Sequence, residues 1–147
     1  MNQFKIYWDK LKTSEKIIFI SFFVGIFSMF LNWSHGSFFP QNGFTQLAIF
    51  LLCPWAYPLF KLVSEKKINR NIGLGCSFAP LAAVSLYIYS KNVEIFGEFM
   101  NLAGVGPWIF LFSCLVLGVG VYQYDLEYQK QFNLGSNSSA PELLPPS

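Results

Sequence analysis

IIFISFFVGIFSMFLNWSHGSFFPQNGFTQLAIFLLCPWAYPLF, residues 17–60, contains no Lys, Arg, Asp or Glu. It holds two apolar runs, each near the ~20 residues that cross a bilayer as a helix. The polar stretch NWSHGSFFPQNGF lies between them. The rest of the chain has the same character. Soluble domains are about 25% charged, whereas these 147 residues are 12% charged and include 17 Phe. A soluble protein of this size has too much surface to conceal so many large apolar side chains. The mean hydropathy of +0.40 agrees. The sequence reads as an integral membrane protein.

Working outward from that stretch gives an all-α membrane protein with four transmembrane helices in an up-down bundle. The expected spans are about 17–33, 44–63, 72–90 and 107–124 within a transmembrane domain of residues 17–124. Lys16 before an apolar run resembles the start of a secretory leader. Bulky Phe30 and Leu31, however, stand where cleavage requires small side chains, so the first run is expected to remain as a helix. Ser21, Gly25 and Ser28 give it a face for close helix contact. Pro54 and Pro58 each remove a backbone donor, which predicts a kink in the second span. Gly75, Ala79 and Ala83 repeat every four residues in the third, a narrow strip for a neighbouring helix. Pro107 suits the first turn of the fourth, where its missing N–H is not needed.

The flanks are polar. Residues 1–16 place Phe4, Tyr7, Trp8 and Leu11 on one helical stripe with Lys5, Asp9 and Lys12 turned away. This predicts a short interfacial amphipathic helix ahead of the bundle, with Thr13 or Ser14 capping the first span. Residues 125–147 read as a cytoplasmic tail, disordered from about residue 135, where Gly, Ser, Asn and Pro dominate. Lys5, Lys10, Lys12, Lys16, Lys61, Lys66, Lys67, Arg70 and Lys130 fall on one side of a four-span topology and Lys91 on the other. Basic residues favour the cytoplasm, so both termini are expected there. NWSHGSFFPQNGF becomes the first exoplasmic turn, with Trp33, Phe38 and Phe39 expected at the lipid interface. Trp108, Tyr87 and Tyr89 belong to that belt, and Tyr122, Tyr124 and Tyr128, with Tyr7 and Trp8, to the cytoplasmic one.

Glu15-Lys16 at the edge of an apolar helix, its end Phe30-Leu31-Asn32-Trp33, and the following Asn42-Gly43-Phe44 resemble small, uncharacterised bacterial four-span inner-membrane proteins. Many of those relatives carry Pro where this chain has Asn32. The resemblance implies architecture and a place in the cell membrane, and no activity.

Residues that carry chemistry are sparse. His35 is the single histidine, without a carboxylate or cysteine beside it in its loop, so no metal or general-base site is expected there. Glu94 and Glu98, four apart, would share a face if helical, although a solvated outer loop is the simpler reading. Ser77 and the Ser113-Cys114 pair lie in spans without a His or acidic partner to activate them. Cys53, Cys76 and Cys114 fall singly in apolar runs, as buried small hydrophobes. Gly104-x-Gly106 and Gly118-x-Gly120 lack the context of phosphate loops. Apart from Lys61 at the edge of the second, no span carries Asp, Glu, Lys, Arg or His, which weighs against proton-coupled transport. Topology and anionic headgroups account for the cytoplasmic lysines, so no nucleic-acid partner is expected.

Trp55 remains, about 16 Å along the second helix at 1.5 Å per residue, between two prolines and beside Tyr57. Pro54, Trp55, Tyr57 and Pro58 form the candidate packing or binding face. Trp55 is expected to point into the bundle, with Ala79 and Ala83 offering space, or into a partner, and not into lipid, with a backbone carbonyl freed by the kink as partner for its indole N–H. The function expected is that of a non-enzymatic accessory or interaction protein without cofactor. Its partners are the bilayer and another membrane protein, or a second copy. The alternative is a carrier or pore for a small or lipid-like molecule.

Overall fold

The structure, a computed structural model, describes residues 8–35, 41–64, 66–95 and 98–137. Helix α1 (Thr13–Phe30) is followed by a 3-10 segment (Ala48–Trp55) that continues as α2 (Ala56–Val63), then by α3 (Arg70–Ser90) and α4 (Val105–Asn137). α1, α3 and α4 are long and apolar enough to cross a bilayer, and Ala48–Val63 is a shorter apolar passage. Strands β1 (Asn32–Ser34) and β2 (Gln41–Asn42) lie between α1 and the 3-10 segment, and β3 (Asn92–Ile95) and β4 (Glu98–Asn101) between α3 and α4.

Helix α4 is the hub, packed along α1 on one side and α3 on the other. Ser14 meets Glu127 near the start of α1, Ile18 lies beside Gly120, and Gly25 faces Ser113, so α1 and α4 run antiparallel. Gly73 beside Val121 and Ser77 beside Gly118 set α3 antiparallel to α4 as well. Side-chain size, more than polarity, separates the two faces of α1. Ser14, Ile18, Ser21, Gly25 and Ser28 are buried at alternating spacings of four and three, while Phe23, Phe27 and Phe30 face outward. Small residues let backbones approach, and the apolar effect gives no reason to bury Phe when the surroundings are lipid. The buried hydroxyls of Ser21 and Ser113 donate within their own helices, Ser21 Oγ to Ile17 O at 2.7 Å and Ser113 Oγ to Phe110 O at 2.7 Å. They therefore cost no unpaired donor.

Helix α1 begins at Thr13, earlier than expected, and its N-cap is Lys12, whose backbone N–H donates to Glu15 Oε2 at 2.9 Å. Ser14 does not cap the helix; its Oγ donates to Glu127 Oε2 at 2.7 Å and fastens α1 to α4. Phe4 and Tyr7 of the expected amphipathic arm lie outside the described residues; Trp8–Lys10 are helical, and the helix is interrupted at Leu11 and Lys12.

The second passage differs from a kinked α-helix. Phe44 to Leu47 are turn, with Leu47 left-handed at φ 55°, and the 3-10 winding persists for 8 residues. Pro54 and Pro58 have no N–H for an i−4 carbonyl, and their rings clash with it. Ala56 N–H accordingly donates three residues back, to Cys53 O. The 3-10 rise of ~2.0 Å against ~1.5 Å in an α-helix stretches this 16-residue passage to about 28 Å. It runs the length of the bundle. Gly43 lies against Met29 and Trp33 at one end, whereas Leu62 shares a pocket with Glu15 and Tyr124 at the other.

The all-α expectation is amended by two small antiparallel sheets. β1 pairs with β2, with a bulge, and β3 with β4 from Asn92↔Asn101 to Ile95↔Glu98. A Ser34↔Ala103 bridge and the His35 N–H to Leu102 O bond at 2.8 Å join the two connections. Glu94 and Glu98 therefore sit on paired strands and not on successive helical turns. Trp33, expected in the lipid belt and in the first span, lies beyond the end of α1 and is 1% exposed. Its Nε1–H donates to Ser28 O at 2.8 Å, and its carbonyl accepts from Tyr87 Oη at 3.2 Å. Gly106 makes room, since a Cβ there would stand 2.5 Å from Trp33 Nε1.

α4 continues well past the expected end at Tyr124, to Asn137. Leu126, Glu127, Gln129, Lys130 and Gln131 are strong helix formers, and no Gly or Pro interrupts the stretch before Gly135. Lys12 Nζ donates to Gln131 Oε1 at 2.7 Å and ties this polar extension to the start of α1. Residues 138–147 lie outside the described residues.

Candidate functional site

The Pro54–Pro58 stretch packs against the core to different depths. Trp55 is fully buried, its ring stacked on Phe110 at 5.2 Å and 9°, with Phe22 at 6.4 Å. It lies over Gly25, where a Cβ would be 2.5 Å from Trp55 Cζ3. Two residues on, Tyr57 is half-buried, and its Oη accepts the Asn69 N–H at 3.2 Å, holding the connection into α3. Pro58 is buried and Pro54 half-buried. Trp55 thus points into the bundle and Tyr57 toward the α2–α3 connection.

Two details of the expected Trp55 environment change. The ring packs on α1 and α4, whereas Ala79 and Ala83 face outward from α3. Trp55 Nε1 has no hydrogen-bond partner among the described residues. The 3-10 winding explains the second point in part, because it re-pairs carbonyls that a simple kink would leave free. Trp55 belongs to a stacked series: Phe110 also meets Trp33 at 5.9 Å, and Trp33 meets Tyr87 at 5.6 Å.

The remaining candidates are dispersed. His35 is exposed at the sheet end, and among the described residues no three His, Cys, Asp or Glu side chains gather as a metal site. Ser77 Oγ donates to Leu74 O at 2.8 Å. Cys53, Cys76 and Cys114 are free thiols.

A cleft between α3 and α4 was not legible in the sequence. Its apolar part, about 560 Å³, is walled by Leu74, Phe78, Leu81, Leu115, Gly118 and Val119. Toward the basic end Tyr122 lines the same cleft, and the Arg70 guanidinium lies over the Tyr122 ring at 4.8 Å. Arg70 also borders a polar pocket of about 490 Å³ with Lys67, Asn69, Asn71, Asp125 and Gln129. Asn69 Oδ1 accepts the Asn71 N–H at 3.0 Å and caps α3 beside this pocket. Lys67 Nζ sits over Tyr128 at 4.8 Å. The basic cluster was visible in the sequence, but which helices border it depends on packing.

No protein-family model, curated protein or solved structure matches this chain.

Proposed function

We propose that this is a four-span protein of the bacterial cell membrane, with both ends cytoplasmic, acting without catalysis through lateral contacts with another membrane protein or a second copy. The broken passage supports the fourth span: at about 28 Å it approaches the ~30 Å hydrocarbon thickness despite having too few residues for an ordinary α-helical span. The charge distribution supports the orientation. Lys10, Lys12, Lys67 and Arg70 border pockets at the end where α1 and α3 begin, while Lys91 lies at the sheet end over Tyr87. The resemblance to small bacterial four-span proteins supports the location.

The lateral-contact reading is carried by the outward strip of α3. Gly75, Ala79, Ala82 and Ala83 are exposed, and a Cβ on Gly75 would meet nothing within 4 Å. Inside this bundle small residues mark close helix approach, as on α1. On α3 they lie exposed at the surface.

Two experiments test these readings. Single cysteines at Lys66 and Glu94, in a background lacking Cys53, Cys76 and Cys114, are expected to report opposite sides of the membrane. With an impermeant thiol reagent on intact cells, Glu94→Cys labels and Lys66→Cys does not; labelling of Lys66→Cys overturns the orientation. For the strip, Ala79→Leu with Ala83→Leu is expected to leave thermal melting within about 0.5 kcal/mol of the parent, as for exposed sites. Recovery of a co-purified partner, or of cross-linked dimer, should fall at least severalfold. Unchanged recovery of both removes the strip as a contact surface.

A further inference from the structure

We infer that the α3–α4 cleft binds one anionic phospholipid, its phosphate at Lys67 and Arg70 and an acyl chain along Leu74, Phe78 and Leu81. The inference rests on the membrane placement proposed above. Both halves of such a ligand are matched. The polar pocket presents an ammonium and a guanidinium, and the N-terminal end of α3 adds its partial positive charge. Asp125 is the carboxylate among the described lining residues, and its Oδ2 already accepts from Gln129 Nε2 at 3.0 Å. The aromatic faces under Arg70 and Lys67 hold both cations while leaving their N–H donors free of carboxylates among the described residues.

The apolar half has a matching length. From Arg70 to Leu81 along α3 is about 16 Å at helical rise, close to the ~15 Å depth of one hydrocarbon leaflet. Gly118 lines the cleft midway and lets α4 lie close to α3, where a Cβ would stand 3.2 Å from Ser77 Oγ. Tyr122 joins the two halves, lining the apolar cleft with Arg70 over its ring. A basic pocket between helices at the cytoplasmic interface suits an anionic headgroup, and a zwitterionic headgroup adds an ammonium that the two cations repel.

The full chain is reconstituted into nanodiscs of phosphatidylcholine containing a minority of phosphatidylglycerol with the same acyl chains. Lipid retained after gentle extraction is then counted by native mass spectrometry. Phosphatidylglycerol is expected to be retained at one copy. Lys67→Gln with Arg70→Gln weakens retention about 30-fold, at roughly fivefold for each basic group. Val119→Trp, an exposed position on the cleft wall, weakens it by crowding the acyl chain. Lys10→Gln with Lys130→Gln removes the same charge outside the cleft and leaves retention near the parent value. The inference is overturned if that control pair loses as much as the cleft pair, which means diffuse attraction, or if the cleft pair changes nothing. It is also overturned if Val119→Trp is silent while inorganic phosphate displaces the lipid, because the pocket then takes a headgroup anion alone. Nanodiscs expose both leaflets, so an inverted orientation leaves these outcomes intact and is read separately by the cysteine labelling.

Discussion

Trp55→Ala is expected to destabilise the folded bundle by about 3–5 kcal/mol, the range for removing a buried Trp or Phe side chain. The ring is fully buried and stacked on Phe110. Trp55→Phe should cost much less, within about 1 kcal/mol of the parent. It loses volume but also removes an indole N–H that lacks a partner among the described residues, and an unsatisfied buried donor costs about 1–3 kcal/mol. The same geometry predicts coupling to α1. Gly25→Ala puts a Cβ 2.5 Å and 2.8 Å from the Cζ3 and Cη2 atoms of the indole, an overpacking worth about 1–3 kcal/mol. Phe lacks those atoms, so Gly25→Ala should be milder in the Trp55→Phe background, giving a non-additive cycle. Reversible unfolding in mixed micelles measures all four proteins. Equal costs for Trp55→Phe and Trp55→Ala would mean that the N–H is satisfied and that the indole as a whole is what the core requires.

Trp33→Ala is expected to cost a similar ~3–5 kcal/mol and to release the sheet end of the molecule. Trp33 joins α1, α3, α4 and the strands: its Nε1–H bonds Ser28 O, its carbonyl accepts from Tyr87 Oη and the Gly104 N–H, and its ring meets Phe110. Hydrogen exchange in nanodiscs should therefore rise at the His35, Leu102 and Gly104 amides, while amides near Leu117 and Val121 stay protected. Gly106→Val should reproduce the pattern, because a side chain at 106 collides with the same indole. Exchange that rises uniformly along α4 would indicate global loosening and would contradict a local role for Trp33 in fastening the strands.

The sequence by itself determined the features that depend on summed polarity along the chain. The charge-free stretch 17–60, the apolar runs of α1, α3 and α4, and the basic clusters at 61–70 and in the N-terminal arm are additive quantities that need no knowledge of neighbours. Local chemistry was also legible where it acts alone: Pro54 and Pro58 disrupt regular α-helix whatever surrounds them. The β3–β4 pairing had a readable signal that the reading of a solvated loop passed over. Val93 and Ile95 alternate with Asn92 and Glu94 ahead of Phe96-Gly97, the pattern of a strand entering a turn. The length of α4 was missed because polarity was taken as a helix end, although polar Glu, Gln and Lys continue a helix once it leaves an apolar layer.

Tertiary structure alone decided which faces meet. In a membrane both faces of a helix are apolar, so periodicity cannot say which one points inward, and the small residues that mark contact do not name their partner. The Ser21–Gly25–Ser28 face packs inside the bundle, while the similar Gly75–Ala79–Ala83 strip of α3 points out. Trp33 entered the core because Gly106 leaves room for it, and Trp55 because Gly25 does. Arg70 became part of a cleft because α4 brought Tyr122 beneath it. Each of these depends on shape complementarity between segments distant in sequence, which no composition or spacing along one of them encodes.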